Sequence, residues 1–178
     1  MSSLASTKVT ERALLLALAL ILDKLILFQL PQGGNISLGM LPLIIFALRH
    51  GLAAGLFLGG LAGGLQLFLG GYFLSPLQFL LDYPIAYAMI GLAGLVHLKH
   101  TGKLSTGRLL LGVSLASLAR LFAHTLAGIV FYSAYAPKGT PVWLYSLSYN
   151  ASYMLPSAIL VSVVLLLLSK KNPKLFSV

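Results

Sequence analysis

The stretch VWLYSLSYNASYMLPSAILVSVVLLLL, residues 142–168, decides the fold. It contains no charged side chain, and Lys170 and Lys171 follow it after a single serine. A helix rises about 1.5 Å per residue, so about 20 apolar residues cross the hydrocarbon core of a bilayer. We therefore predict a transmembrane helix that ends at a basic boundary facing water.

The rest of the chain has the same apolar character. Of its 178 residues, 58% are hydrophobic and 8% are charged, and the mean hydropathy is +0.96. Soluble domains carry about a quarter charged residues, so the solvent here is lipid. The length leaves room for five or six crossings and no separate soluble domain. Because the chain has no Cys, disulfides and thiolate metal sites are excluded, and we expect no metal.

Breaks in the apolar pattern divide residues 1–178 into six helices of a single transmembrane domain. Loops are predicted at Pro31, which paired glycine follows, and at 136–141, because proline and glycine end helices. Arg49 interrupts the apolar stretch from Leu38 to Leu69 and divides it into two helices. Ser75-Pro76 is typical of a helix start. The predicted fold is an all-α, polytopic bundle with transmembrane helices at about 9–29, 37–50, 51–70, 76–98, 106–134 and 142–168.

The basic residues predict the orientation. An excess of 12 Lys and Arg over three acids could indicate nucleic-acid binding, but in a membrane protein it more simply marks cytoplasmic loops, so we expect no nucleic acid. With six crossings and both termini cytoplasmic, only Lys138 lies in an outer loop. Five crossings would place Lys170 to Lys174 on the wrong side. The cytoplasmic residues would be Lys8, Arg12, Arg49, Lys99, Lys103, Arg108, Lys170, Lys171 and Lys174.

Small residues recur at four-residue spacing in two helices. The glycines along one flank of the third helix, where a neighbouring backbone can approach closely, are Gly51, Gly55, Gly59 and Gly63. We interpret this flank as tight packing inside the bundle. Ala13 and Ala17 form a similar flank on the first helix, and by spacing alone we favour internal packing there too.

Several polar residues remain inside the predicted spans. A charge at the bilayer centre costs on the order of 3 kcal/mol, so each needs a partner or a task. Their depths fall broadly in the outer half of several helices, so together they can line one cavity. Each residue also has a purely structural explanation. Asp82 would be the counter-ion of Arg120, and His124 or Asn150 would form a contact between helices. Lys24 and the aromatic rings would lie at the membrane interface. The set comprises Lys24, Asp82, Arg120, His124 and Asn150, with Tyr72, Tyr83, Tyr132, Trp143, Tyr145 and Tyr149, and Asp23 is a further charge inside a predicted span.

Three segments carry a family resemblance that covers about residues 9–168. They are Leu30-Pro31-Gln32-Gly33-Gly34 with Ile36-Ser37, Leu80-Leu81-Asp82-Tyr83, and the long run from Arg120 through Ala136-Pro137-Lys138-Gly139-Thr140-Pro141 to Met154. The chain resembles the thiamine-specific S-component of energy-coupling factor (ECF) transporters, the thiamin transporter family. The resemblance implies a six-helix subunit of a prokaryotic plasma membrane. It would bind thiamine tightly from the outer side, beneath a lid formed by the loop between the first two helices.

The resemblance also implies residue roles. Asp82, beside Tyr83, would meet the cationic vitamin. The polar and stacking contacts would come from His124, Tyr145 and Asn150, and the aromatic walls from Tyr72 and Tyr132. Some members of the family have Glu in place of Asp82 and Trp in place of Tyr132.

The partners implied by the resemblance are a shared transmembrane coupling subunit and two ATP-binding subunits. Ala13 and Ala17 would then be the small-residue surface that docks on the coupling subunit, and so face outward. The chain has no Gly-x-x-x-x-Gly-Lys-Ser/Thr loop, so ATP would be hydrolysed by the partners. We expect no cofactor in this chain itself.

Other functions make different demands on the sequence. An S-component for another small vitamin or its precursor would use the same scaffold, but an anionic or neutral ligand would leave Asp82 unpaired. An intramembrane enzyme using Asp82 and His124 lacks paired carboxylates, a His-Glu-x-x-His motif and a nucleophile motif, so we expect no enzyme activity. A self-sufficient secondary transporter usually shows internal repeats, and this chain has no convincing one.

Overall fold

The computed structural model describes residues 2–97 and 105–176, with side chains from residue 9 onward. A short antiparallel hairpin of strands β1 (Phe28–Gln29) and β2 (Asn35–Ile36) joins the first two helices. The prediction of an all-α bundle of six helices is confirmed. The helices are α1 (Ser2–Lys24), α2 (Met40–His50), α3 (Leu52–Gln66), α4 (Pro76–Val96), α5 (Thr106–Phe131) and α6 (Val142–Lys171).

Four helical segments of the described chain are long and apolar enough to cross a membrane. They are Leu52–Leu69, which extends α3 by a 3-10 turn, together with α4, α5 and α6. The helix α2 has only 11 residues, and every residue from Met40 to Leu48 is buried. It packs against each of the other five helices and is therefore the centre of the bundle.

The first helix ends earlier than the predicted range of about 9–29. It stops at Lys24, and Phe28 then pairs with Ile36 across the hairpin. At the hairpin tip, Gln32 (φ 63°) and Gly33 (φ 93°) both have a left-handed backbone. Residues 25–28 are apolar and exposed in the structure, as they would be on a lipid-facing helix, so hydropathy alone could not place the boundary.

The later helix boundaries differ from prediction by only a few residues. The helix predicted at 106–134 ends at Phe131 and is followed by a separate 3-10 turn, Ser133–Tyr135, whereas the one predicted at 142–168 continues to Lys171. The helix predicted at 76–98 ends at Val96, and most of the basic turn from Lys99 to Arg108, including Lys103, lies outside the described residues.

The glycine flank of α3 packs directly on the backbone of α4. A Cβ atom added at Gly55 would lie 2.9 Å from Gly91 Cα, and one added at Gly63 would lie 2.9 Å from Pro84 N. Real Cβ atoms essentially never approach backbone atoms so closely. Internal packing is therefore confirmed for these glycines, and the two helices touch without side chains between them.

This contact predicts different effects for two neighbouring glycines. Gly63→Ala should lower the free energy of unfolding by about 1–3 kcal/mol, because the new methyl group would overlap the α4 backbone. Gly64→Ala is the matched control, since a Cβ there would have no atom within 4 Å. Thermal unfolding of both variants in detergent checks the difference. Equal melting temperatures would contradict the backbone contact.

Candidate ligand-binding site

A cavity of about 480 Å³ opens beneath the hairpin, between α1 and α4–α6. Small-molecule sites typically have volumes of about 300–1,000 Å³. The structure places all seven residues of the predicted site in its lining, although they come from distant parts of the sequence. They are Tyr72, Asp82, Tyr83, His124, Tyr132, Tyr145 and Asn150.

A π-helical turn in α4 positions two of these side chains. The turn covers Leu81–Ile85 and contains Pro84, whose missing N–H interrupts the regular hydrogen bonding of the helix. A π-turn inserts a residue and rotates the helix locally, and such turns are frequent at functional sites. Here both Asp82 and the adjacent Tyr83 line the cavity, although a regular helix would place them 100° apart.

Three hydrogen-bond donors surround the Asp82 carboxylate, one from its own helix and two from α5 and the residue that follows it. His124 Nδ1 lies 3.1 Å from Oδ1, while Oδ2 accepts from Gln78 Nε2 at 2.8 Å and from the Tyr132 hydroxyl at 3.1 Å. Burial, together with the negative charge of Asp82, raises the pKa of Tyr132, so this hydroxyl stays protonated and donates. The carboxylate is thus held in one orientation at the cavity wall.

Arg120 is not the direct counter-ion of Asp82. Its guanidinium lies over the ring of Tyr87, 4.2 Å from the ring centroid, and its Nε donates to His124 Nε2 at 3.4 Å. Because Nε2 accepts this hydrogen bond, Nδ1 carries the hydrogen that is donated to Asp82. A neutral His124 therefore separates the two charges, and no ion pair within the described residues joins Arg120 to Asp82.

A second carboxylate, Asp23, lines the inner part of the same cavity. It is 6% exposed and accepts hydrogen bonds from Ser37 Oγ (3.2 Å), Gln66 Nε2 (2.7 Å) and the Tyr87 hydroxyl (3.0 Å). The sequence indicated Asp23 as an intramembrane charge but did not assign it to the site. Gln66 was missed altogether; an amide inside an otherwise apolar span was the signal that could have found it.

The charges of those cavity side chains that are not exposed do not cancel. Asp23 and Asp82 contribute two negative charges, Arg120 contributes one positive charge, and His124 is neutral. Lys24 also borders the cavity, but its side chain is exposed. The interior therefore carries one net negative charge, which a ligand with a single positive charge would neutralise.

The wall formed by α6 combines aromatic and amide groups. Tyr145 stacks on Tyr149 with ring centroids 6.1 Å apart. Asn150 Oδ1 accepts from the Tyr153 hydroxyl at 2.7 Å, and its Nδ2 donates to the Ser146 carbonyl at 2.8 Å and to the His124 carbonyl at 3.4 Å. Asn150 thus forms a contact between helices α5 and α6, which was the structural explanation for this residue, and it also lines the cavity.

The hairpin covers the cavity and is fastened to α6. Its residues Gln32, Gly34 and Asn35 contribute to the lining. The Tyr149 hydroxyl accepts a hydrogen bond from Gly34 N at 2.9 Å and donates one to the Pro31 carbonyl. The segment therefore lies where a lid would have to lie.

The predicted docking residues lie on α1, away from the cavity. Both Ala13 and Ala17 are exposed. The internal packing that spacing alone favoured is therefore wrong, and the small-residue flank is open to lipid or to another protein. Spacing could not decide this, because a small flank suits an inner and an outer neighbour equally well.

The network around Asp23 predicts a large loss of stability on its removal. Asp23→Ala should lower the free energy of unfolding by about 3 kcal/mol, because the donors of Ser37, Gln66 and Tyr87 would lose their acceptor. Lys24→Ala removes the adjacent, exposed charge and should change stability by less than about 0.5 kcal/mol. Thermal unfolding in detergent compares the two. If Asp23→Ala unfolds like the wild type, the network is not a structural anchor.

Known proteins share this sequence and this fold. Residues 9–177 match the family described as Thiamine transporter protein (Thia_YuaJ). The chain is 42% identical over 178 aligned residues to a protein named thiamine transporter ThiT from Bacillus subtilis (strain 168), covering 94% of this chain and 93% of the relative. It is 38% identical over 153 residues to ThiT of Lacticaseibacillus paracasei, covering 80% and 76% of the two chains. A solved structure of ThiT from Listeria monocytogenes, 28% identical, has a TM-score of 0.81 and matches over 95% of this chain and 96% of that one.

Proposed function

This chain belongs to the thiamine transporter protein (Thia_YuaJ) family, and from this premise we propose that it is the high-affinity thiamine-binding S-component of an ECF-type uptake transporter. It is a multi-pass protein of a prokaryotic plasma membrane. In the proposed role it captures thiamine from the outer side and delivers it through an ATP-driven coupling module.

The observation that carries this proposal is the net negative cavity with Asp82 in its wall. Thiamine has a permanent positive charge on its thiazolium ring. In a cavity with little water, a carboxylate attracts such a cation more strongly than it would at a surface. Aromatic faces nearby, from Tyr83 and Tyr132, would add about 0.5–2 kcal/mol through cation–π contacts.

The remaining lining groups suit the aminopyrimidine ring of thiamine. This ring is flat and presents both hydrogen-bond donors and acceptors. Tyr145 offers a face for stacking, while His124 and Asn150 offer polar edges that can orient ring nitrogens and the exocyclic amine. Tyr72 extends the aromatic wall. These assignments make the seven lining residues the substrate-binding set.

The proposed topology places both termini in the cytoplasm and the hairpin outside. The distribution of basic residues supports this orientation. It makes the hairpin a lid on the outer surface, where the vitamin arrives.

The chain has no ATP-binding motif of its own, so ATP-driven transport requires partners. We infer a transmembrane coupling subunit and two ATP-binding subunits, which hydrolyse the ATP. The S-component itself then catalyses no reaction and needs no cofactor. Its contact with the coupling subunit is the exposed flank of Ala13 and Ala17.

Titration calorimetry of the detergent-purified protein with thiamine tests the proposed ligand. Asp82→Asn should weaken thiamine binding about 30-fold or more, equivalent to about 2 kcal/mol, because the cation loses its charged partner. Trp143→Phe is the control and should bind like the wild type, since Trp143 is 56% exposed and outside the cavity lining. Normal binding by Asp82→Asn would show that the site is misplaced. Preference for riboflavin or pyridoxine would favour an S-component for another vitamin.

Substitution on the exposed face of α1 tests the proposed partner. Ala13→Trp should leave thiamine affinity intact but prevent co-purification with the coupling subunit, because the indole would hold the partner helix away. Leu18→Trp places the same side chain at an exposed position on another face of α1 and should assemble normally. If Ala13→Trp loses thiamine binding as well, this flank contributes to the internal structure instead.

A further inference from the structure

One hydroxyl group connects the hairpin to the helices. The Tyr149 hydroxyl accepts from the backbone N–H of Gly34 at 2.9 Å and donates to the carbonyl of Pro31. These two backbone groups flank the hairpin tip. Within the described part of the chain, no other side chain hydrogen-bonds residues 25–36 to the helix bundle.

The packing at Gly34 holds the Tyr149 hydroxyl close to these two backbone groups. A Cβ atom at Gly34 would lie 2.7 Å from Tyr153 Cε1 and 2.9 Å from the Tyr149 hydroxyl oxygen. Only a residue without a side chain lets the hairpin backbone lie against the two rings. Tyr149 itself is fixed by its stacked neighbour Tyr145 and by the edge-on ring of Tyr153.

The hairpin has little stability of its own. Each strand has two residues, and an isolated two-stranded hairpin is marginal in water even when longer. Leu27 and Phe28 are 65% and 61% exposed, so they add little packing against the bundle. The closed position of the hairpin therefore depends on its contacts with α6.

We propose that Tyr149 is a positioning residue, whose hydroxyl latches the hairpin shut and so sets the rate at which ligand enters and leaves the cavity. This inference rests on the proposed function of the cavity and adds to it the residue that controls exchange. Both partners of the Tyr149 hydroxyl are backbone groups of the hairpin itself, so closing the latch requires no ligand. Its hydrogen bonds therefore stabilise the closed form with and without ligand, and they cancel in the equilibrium affinity.

A Tyr149→Phe variant tests the latch, because it removes both hydrogen bonds and keeps the ring. With hydrogen bonds worth about 1 kcal/mol each, the open form should become roughly 10- to 30-fold more populated. A chase of bound radiolabelled thiamine should then show dissociation faster by about that factor. Association should accelerate similarly, and Kd should change by less than about threefold.

A second readout needs no thiamine. Hydrogen–deuterium exchange of the empty protein should be faster at the Gly34 amide in Tyr149→Phe than in the wild type. Ser148→Ala is the matched control: it removes an exposed hydroxyl from the neighbouring position, where the group bonds only to the Leu144 carbonyl of its own helix. It should exchange and release thiamine like the wild type.

A second variant reaches the same latch from the hairpin. Gly34→Ala would push the hairpin backbone off the rings of Tyr149 and Tyr153, so it should also accelerate exchange at the hairpin. It provides the measurement if Tyr149→Phe does not fold.

The outcomes separate the latch from the proposed ligand. Unchanged exchange of the hairpin amides in both variants would overturn the latch, even if thiamine binds. A large loss of affinity in Tyr149→Phe would overturn it too, because the hydroxyl would then be a ligand contact. If the wild type binds no thiamine while Tyr149→Phe exposes the Gly34 amide, the latch stands and the proposed function fails.

Discussion

A carboxylate inside a lipid-embedded bundle must be surrounded by hydrogen-bond donors. This protein satisfies that requirement at two positions, and the arrangement of its helices depends on both. Asp82 and Asp23 each accept hydrogen bonds from three side chains. Arg120 lies between the two sets, on the ring of Tyr87 and against His124. Because all of these donors except Gln78 lie on a different segment from the carboxylate they bind, the two carboxylates also fix how the helices are arranged around the cavity.

The two sides of the cavity are built in different ways. On one side, α3 and α4 meet backbone to backbone at Gly55 and Gly63, so neither helix can shift without a clash. On the other side, the hairpin is held to α6 mainly through the hydroxyl of Tyr149. A difference in stiffness follows from this contrast: access to the cavity is controlled at the hairpin, while the π-turn that carries Asp82 stays fixed.

The sequence predicted the membrane class, the six helices and the seven lining residues for identifiable reasons. Long apolar runs with basic ends admit few alternatives, and the motif around Asp82 and the run from Arg120 to Met154 are specific. The hairpin was not predicted, because its exposed apolar residues have the same composition as a lipid-facing helix. The anchoring role of Asp23 was also missed, since its donors lie far away in the sequence and no local pattern records them.

The positions of the three acidic residues leave the exposed basic side chains dependent on counter-charges from the surroundings of the protein. The chain has only three acids; two are committed to the cavity, and the third, Glu11, lies 3.0 Å from both Arg49 and His50. Exposed cations such as Arg12, Arg108, Lys170 and Lys171 therefore have no Asp or Glu side chain left to neutralise them. Their counter-charges must come from outside, so the phospholipid composition and the ionic strength of the medium become part of the conditions under which this fold is stable.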